Sequence, residues 1–170
     1  MSRHRQPPHA GGESELALGF LDFQHDVLRV KTQGLDATQL DTTLVPSTLT
    51  LGGMLKHLAF VEDWWFSVMF RGNEPTPPFD SVDWDADWDW DWHSAVDDSP
   101  EELHVLWEST VARSRELVVG ADMEALAVKT TKRGDPISLR WVVLHMIEEY
   151  ARHLGHADLI RESIDGSTGD

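Results

Sequence analysis

Residues 139–163 read LRWVVLHMIEEYARHLGHADLIRES, and the architecture turns on whether they form a helix. Val142, Met146, Ile160 and Ile164 recur at helical spacing, with Val143, Tyr150 and Ala157 alongside. Repeats of three and four residues over this length mark an amphipathic α-helix, because a strand alternates its faces every two residues. The helix starts after Ser138 and is closed by Asp165-Gly166. Two residues on its apolar stripe do not belong in an ordinary core: Glu149 and His153, at i+3 and i+7 from Met146. A buried carboxylate without a partner is strongly destabilising, so these two positions call for a chemical explanation.

An amphipathic helix needs other elements to cover its stripe, and the sequence supplies three. Residues 13–35 place Leu16, Phe20, Phe23, Val27 and Val30 on one face, with Gly34 as the stop. A connector containing Pro46 follows, where proline excludes helix. A second helix runs from about Thr50, a good N-cap, to Gly72, with Leu51, Met54, Leu58, Val61, Trp65 and Val68 as its inward stripe. Gly52 and Gly53 fall in its first turn, where they permit close approach. The third is announced by Ser99-Pro100-Glu101-Glu102, a capping box with proline at the first helical position, and it stops at Gly120. The expected fold is therefore all-α, a four-helix bundle. Its domain covers residues 13–170, after a disordered N-terminus over 1–12.

Nearly all of the link between the second and third helices is unusual. Residues 82–100 read VDWDADWDWDWHSAVDDSP and hold four of the eight tryptophans. A connection this long in a compact domain is a crossover or a functional loop. The simplest reading is a strap whose tryptophans grip the helices and whose aspartates face water. A calcium loop fails on its own pattern. Counted from Asp83, the glycine position holds Trp88 and the final glutamate position holds Ser94; counted from Asp85, they hold Trp90 and Val96.

The composition removes several classes of function. A formal net charge of −16 opposes nucleic acid and anionic membrane surfaces. With no cysteine there is no disulfide, no cysteine nucleophile and no thiolate ligand, so any metal must be held by His, Asp or Glu. The polar N-terminal segment lacks the apolar run of a signal peptide, and no stretch is long enough to span a bilayer. The expectation is a cytoplasmic protein.

Glu149 and His153 are one helical turn apart, the spacing at which two side chains can hold one metal ion. His57, on the flank of the second helix's stripe, is the candidate third ligand. A His₂-carboxylate set leaves a coordination position open, as catalytic sites do. Two plainer readings stay open on spacing alone: a buried Glu149–His153 ion pair with Arg152 nearby, and a hydrogen-bonded His57. His145 and His156 lie beside the same face and read as ordinary surface histidines, with outer hydrogen-bond donors or substrate contacts as the alternatives, and His25, His93 and His104 read as structural or solvated.

The segments LTLGGMLKHLAFVEDWWFSVMFRG (49–72) and SLRWVVLHMIEEYARHLGHADLIRESIDGSTG (138–169) resemble the two signature blocks of the DinB-like superfamily, in its actinobacterial-type branch. The resemblance extends from Leu16 to Gly169. It implies an up-down-down-up bundle with the long crossover between helices two and three. It also implies a divalent metal, zinc or nickel, held by one histidine of helix two and two ligands of helix four: His57, Glu149 and His153. The middle glutamate is similar to the arrangement in the mycothiol-dependent maleylpyruvate isomerase. The implied activity is metal-dependent activation of a low-molecular-weight thiol, of the mycothiol or bacillithiol type, for transfer or isomerisation. The alternatives are hydrolysis by a metal-activated water, with Glu148 or His145 as base, and a non-enzymatic metal- or ligand-binding bundle. The expected partners are a small-molecule substrate or thiol cofactor and a second copy in a homodimer. Arg152, Lys132 and Arg133 are candidate contacts to such a cofactor by charge.

Overall fold

The computed structural model describes residues 6–168. Among the described residues there is no strand, only a lone bridge between Leu126 and Ser138. The helices are α1 (Glu13–Thr32), α2 (Ala37–Leu40), α3 (Leu51–Glu62), α4 (Trp90–His93), α5 (Pro100–Val118) and α6 (Leu139–Asp165). The start signals act as their chemistry requires. Thr50, Ser99 and Ser138 each accept a hydrogen bond from a backbone N–H three residues on, and Glu102 completes the capping box. Each such cap is worth about 1 kcal/mol. Gly166, at φ 75°, ends α6 in the left-handed region that glycine adopts without strain. Short α2, capped at both sides of Asp36 and Gln39, sits inside the connector expected to be irregular.

Of the N-terminal dozen, residues 1–5 lie outside the described residues. Residues 6–12 take no helix. The Pro8 ring reaches α1 so closely that a Cβ on Gly19 would meet it at 2.6 Å.

α1 packs along α6, and α3 packs along α5. Leu28, Leu51, Met54, Leu55, Leu58, Trp107, Val142, Val143, Met146 and Tyr150 are fully buried between them. His57 on α3 meets Glu149 and His153, while Trp65, two turns further on, meets Trp141 and His145, two turns back on α6. The two helices therefore run in opposite directions past each other.

Two expectations about buried faces are corrected. α1 buries Leu21, His25, Leu28 and Thr32, and the expected stripe is rotated by about one position, with Phe20 48% exposed. Both series satisfy a 3.6-residue period, and the choice is made by His25, whose Nε2 meets the buried Glu62 carboxylate at 2.7 Å. On α3 the expected stripe holds to Val61. From Asp63 to Phe70 the chain then widens into a π-helix, which shifts the register by one residue. Phe66 and Phe70 enter the core, Val68 is buried as expected, and Trp65 stays at the margin.

The link between α3 and α5 lies against the helices as expected. Phe60 faces Trp84 with ring centroids 4.4 Å apart, and the Lys56 ammonium lies 4.4 Å over Trp90 while pairing with Asp98. The Trp92 ring rests on Gly53, where a Cβ would meet it at 2.7 Å, so only glycine fits. Trp88 alone of these four tryptophans is largely exposed. The expectation that the aspartates face water fails at Asp91, which is 3% exposed.

Candidate metal centre

His57 is presented by the middle of α3, and Glu149 and His153 by successive turns of α6. One ligand atom from each lies within 4.8 Å of the other two. Glu149 Oε1 stands 3.2 Å from both His57 Nε2 and His153 Nε2, and the two imidazoles meet edge to face at 4.9 Å. His153 is buried, and the other two are half-buried. Helix geometry brings the pair on α6 together, and the antiparallel crossing of α3 brings the third.

The link between α3 and α5 completes the surroundings. His57 Nδ1–H donates to Asp91 Oδ2 at 2.6 Å, and the Trp92 ring stacks on His57 at 4.8 Å and lies 5.4 Å from His153. The proton on Nδ1 is thus fixed by a buried carboxylate, and the opposite nitrogen is turned toward Glu149. Histidines that hold metals characteristically donate their other ring N–H to such a group.

The electrostatics suit a cation. Burial opposes a charged His57, but the hydrogen bonds to Asp91 and Glu149 outweigh it and raise its pKa above the ordinary histidine value. The hydrogen bonds from His153 and then His57 hold the Glu149 carboxyl far below the usual carboxylate range, against the effect of burial. His57 Nε2 faces Glu149, on the side where the three candidate ligand atoms converge, while Asp91 holds Nδ1 on the opposite side. A dication would balance the two carboxylate charges, and the donor set of two imidazoles and one carboxylate is of a kind zinc accepts. The residues fit a divalent metal.

A family model for mycothiol-S-transferase matches residues 16–166, nearly the whole chain. The chain belongs to the mycothiol-S-transferase family. This agrees with the DinB-like resemblance seen in the sequence. A search of curated proteins gives no match.

Not every residue singled out in the sequence joins the centre of this mycothiol-S-transferase family member. His145 stacks on Trp141 at 4.9 Å and meets the edge of Trp65 at 4.8 Å, so it belongs to an aromatic shelf one turn from Glu149. His156 is exposed, with its ring 6.2 Å from that of His153. Glu148 pairs with Arg152 on the exposed face of α6. Lys132 and Arg133 sit exposed in the connector before α6, and no hydrogen bond or ion pair joins them to the donor set. Sequence reasoning missed Asp91 and Trp92. Five W-D or D-W steps in a row offer no periodic signal to tell the one buried aspartate from its exposed neighbours.

Proposed function

We propose that this protein is a metal-dependent transferase that joins the sulfur of a mycothiol-type thiol to an electrophile. The observation that carries the reading is the convergence of His57, Glu149 and His153, with Asp91 behind His57, in a chain of the mycothiol-S-transferase family. Zinc is the proposed ion, on the strength of the nitrogen and oxygen donors. When bound, it would supply the Lewis acidity that lowers a thiol's pKa and favours the thiolate.

This chain's own residues would do the rest. Asp91 fixes the tautomer of His57 and keeps Nε2 toward the centre. Trp92 shields the two imidazoles from water on one side. Its ring also lines a cavity of about 710 Å³ with Asp41, Thr43, Thr48, Asp89 and His93. Hydroxyls and carboxylates beside an aromatic face suit the sugar groups of the thiol. On the other side, the stacked Trp141 and His145 rings, with Trp65 set steeply against them, offer an aromatic wall for the electrophile. In the reaction the thiol's S–H bond breaks and its proton passes to solvent, while sulfur bonds to the electrophilic carbon as that carbon's bond to its leaving group breaks; with monochlorobimane the leaving group departs as chloride.

The proposed fold behind this site is the up-down-down-up four-helix bundle of α1, α3, α5 and α6. The antiparallel crossing of α3 and α6 and the long link before α5 support it. The proposed compartment is the cytoplasm, where small thiols are kept reduced. No helix is long and apolar enough to cross a membrane among the described residues.

The test is consumption of mycothiol with monochlorobimane as electrophile. Zinc-loaded protein is expected to accelerate it, with the metal-free protein and Glu149→Ala at least about a hundredfold slower. Equal rates with and without metal would remove the reading.

A further inference from the structure

A second cluster of buried polar groups lies on the other side of α3 and takes no part in the metal centre. Glu62 is fully buried, and its Oε1 receives two hydrogen bonds, from His25 Nε2–H at 2.7 Å and from the Tyr150 hydroxyl at 3.1 Å. Trp107 Nε1–H in turn donates to the Tyr150 oxygen at 2.9 Å. One residue from each of α1, α3, α5 and α6 meets here. The other oxygen, Glu62 Oε2, is buried with no partner. So is His25 Nδ1, whose nearest charged neighbour, Asp22 Oδ1, is 3.8 Å away and beyond hydrogen-bond reach. Native proteins rarely leave a buried carboxylate oxygen unmatched.

Both residues line a cavity of about 290 Å³ that opens between α1, the π-helical segment and the end of α5. Its walls are apolar: Leu18, Leu21, Phe66 and Val118. At its mouth Arg115 Nε–H donates to Asp22 Oδ1 at 2.8 Å. The π-helix begins directly after Glu62, and such widened turns recur at functional sites. The charges here are balanced. Arg115 offsets Asp22, and although burial disfavours a charged His25, the Glu62 carboxylate beside it outweighs that and raises its pKa. A balanced, mostly apolar cavity discriminates against ions.

We infer that this cavity is a second binding site, for a small neutral molecule that presents one hydrogen-bond donor to Glu62 Oε2 and an apolar body to Leu18, Phe66 and Val118. Alcohols and phenols have this chemistry. The site does not depend on the reading of the metal centre, because its residues and its opening are separate from the donor set.

Phenol and toluene, alike in shape but differing in the donor, are the probes. Each is titrated into the ¹⁵N-labelled, zinc-loaded full chain and followed by two-dimensional NMR. Phenol is expected to give saturable shifts at Leu21, Phe66 and Val118, and toluene to bind at least tenfold more weakly. Leu18→Trp, a change at a partly buried wall position, is expected to abolish both without altering the remaining spectrum. Glu62→Gln, where it folds, brings phenol down to the toluene level. Phenol that does not saturate, phenol and toluene of equal affinity, or phenol binding retained in Leu18→Trp would each overturn the site, leaving a cavity filled by water alone.

Discussion

Replacing Asp91 by alanine removes the one group that holds His57 from behind. The pair is short, at 2.6 Å, and Asp91 is 3% exposed, so it forms a shielded, charge-assisted hydrogen bond. Such bonds contribute about 1.5–3 kcal/mol. At 1.36 kcal/mol per tenfold, losing that amount from the metal-bound state weakens the ion by about 10–100-fold, the range seen when outer partners of metal-bound histidines are removed. The link that carries Asp91 stays anchored by Lys56 with Asp98 and by the buried Phe79, so the variant keeps its fold. Zinc affinity is measured by competition with a chromophoric chelator, and far-UV circular dichroism checks the helices. The expected result is a 10–100-fold weaker zinc dissociation constant with unchanged helicity, on the same estimate. Zinc binding within about twofold of the unaltered protein would show that Asp91 plays no part in holding the ligand.

Three further outcomes are expected. Tyr150→Phe strips the buried Trp107 Nε1–H of its acceptor and Glu62 of one donor, and is expected to lower unfolding free energy by about 1–3 kcal/mol in urea titrations. Gly53→Ala drives a Cβ to 2.7 Å from the Trp92 ring, so it is expected to destabilise by about 1–3 kcal/mol and shift tryptophan fluorescence as Trp92 moves. In the metal-free protein, Glu149 has a folded pKa depressed below its ordinary 4.5, so its contribution is complete above that pH and is lost as pH falls. The stability gap between the unaltered chain and Glu149→Gln, read from melting temperatures, is accordingly expected to shrink as pH is lowered from 4.5.

The sequence carried the helices well because their ends are chemically marked. Ser99, Thr50, Ser138 and Gly166 each cap as read, since capping depends on the residues at one helix end and on nothing distant. The faces were harder. Leu16/Phe20/Val27 and Leu21/His25/Leu28 fit the same period, and only the carboxylate waiting on α3 selects the second set. The π-helix after Glu62 gave no sign of itself, because a one-residue widening changes no residue type.

The cluster of His57, Glu149 and His153 was legible for a related reason. Glu149 and His153 occupy core positions where ordinary packing has no place for them, and their spacing is fixed by the helix. His57 is the third candidate by its place on the flank of the α3 stripe and by the family resemblance, and the crossing of α3 and α6 brings it within 3.2 Å of Glu149. Asp91 and Trp92 could not be told apart from their repeats. Their burial is decided by how a long irregular segment lies across α3, and that rests on contacts with Gly53 and Lys56 far away in sequence.

Metal content bears most directly on the function proposed. Untagged protein and its Glu149→Ala variant are reconstituted with zinc, dialysed and measured by plasma mass spectrometry. One equivalent in the unaltered protein and none in the variant is the expected result. A metal-free unaltered protein, or a variant that retains the full equivalent, would contradict the site and leave His57, Glu149 and His153 as a buried ion-pair cluster.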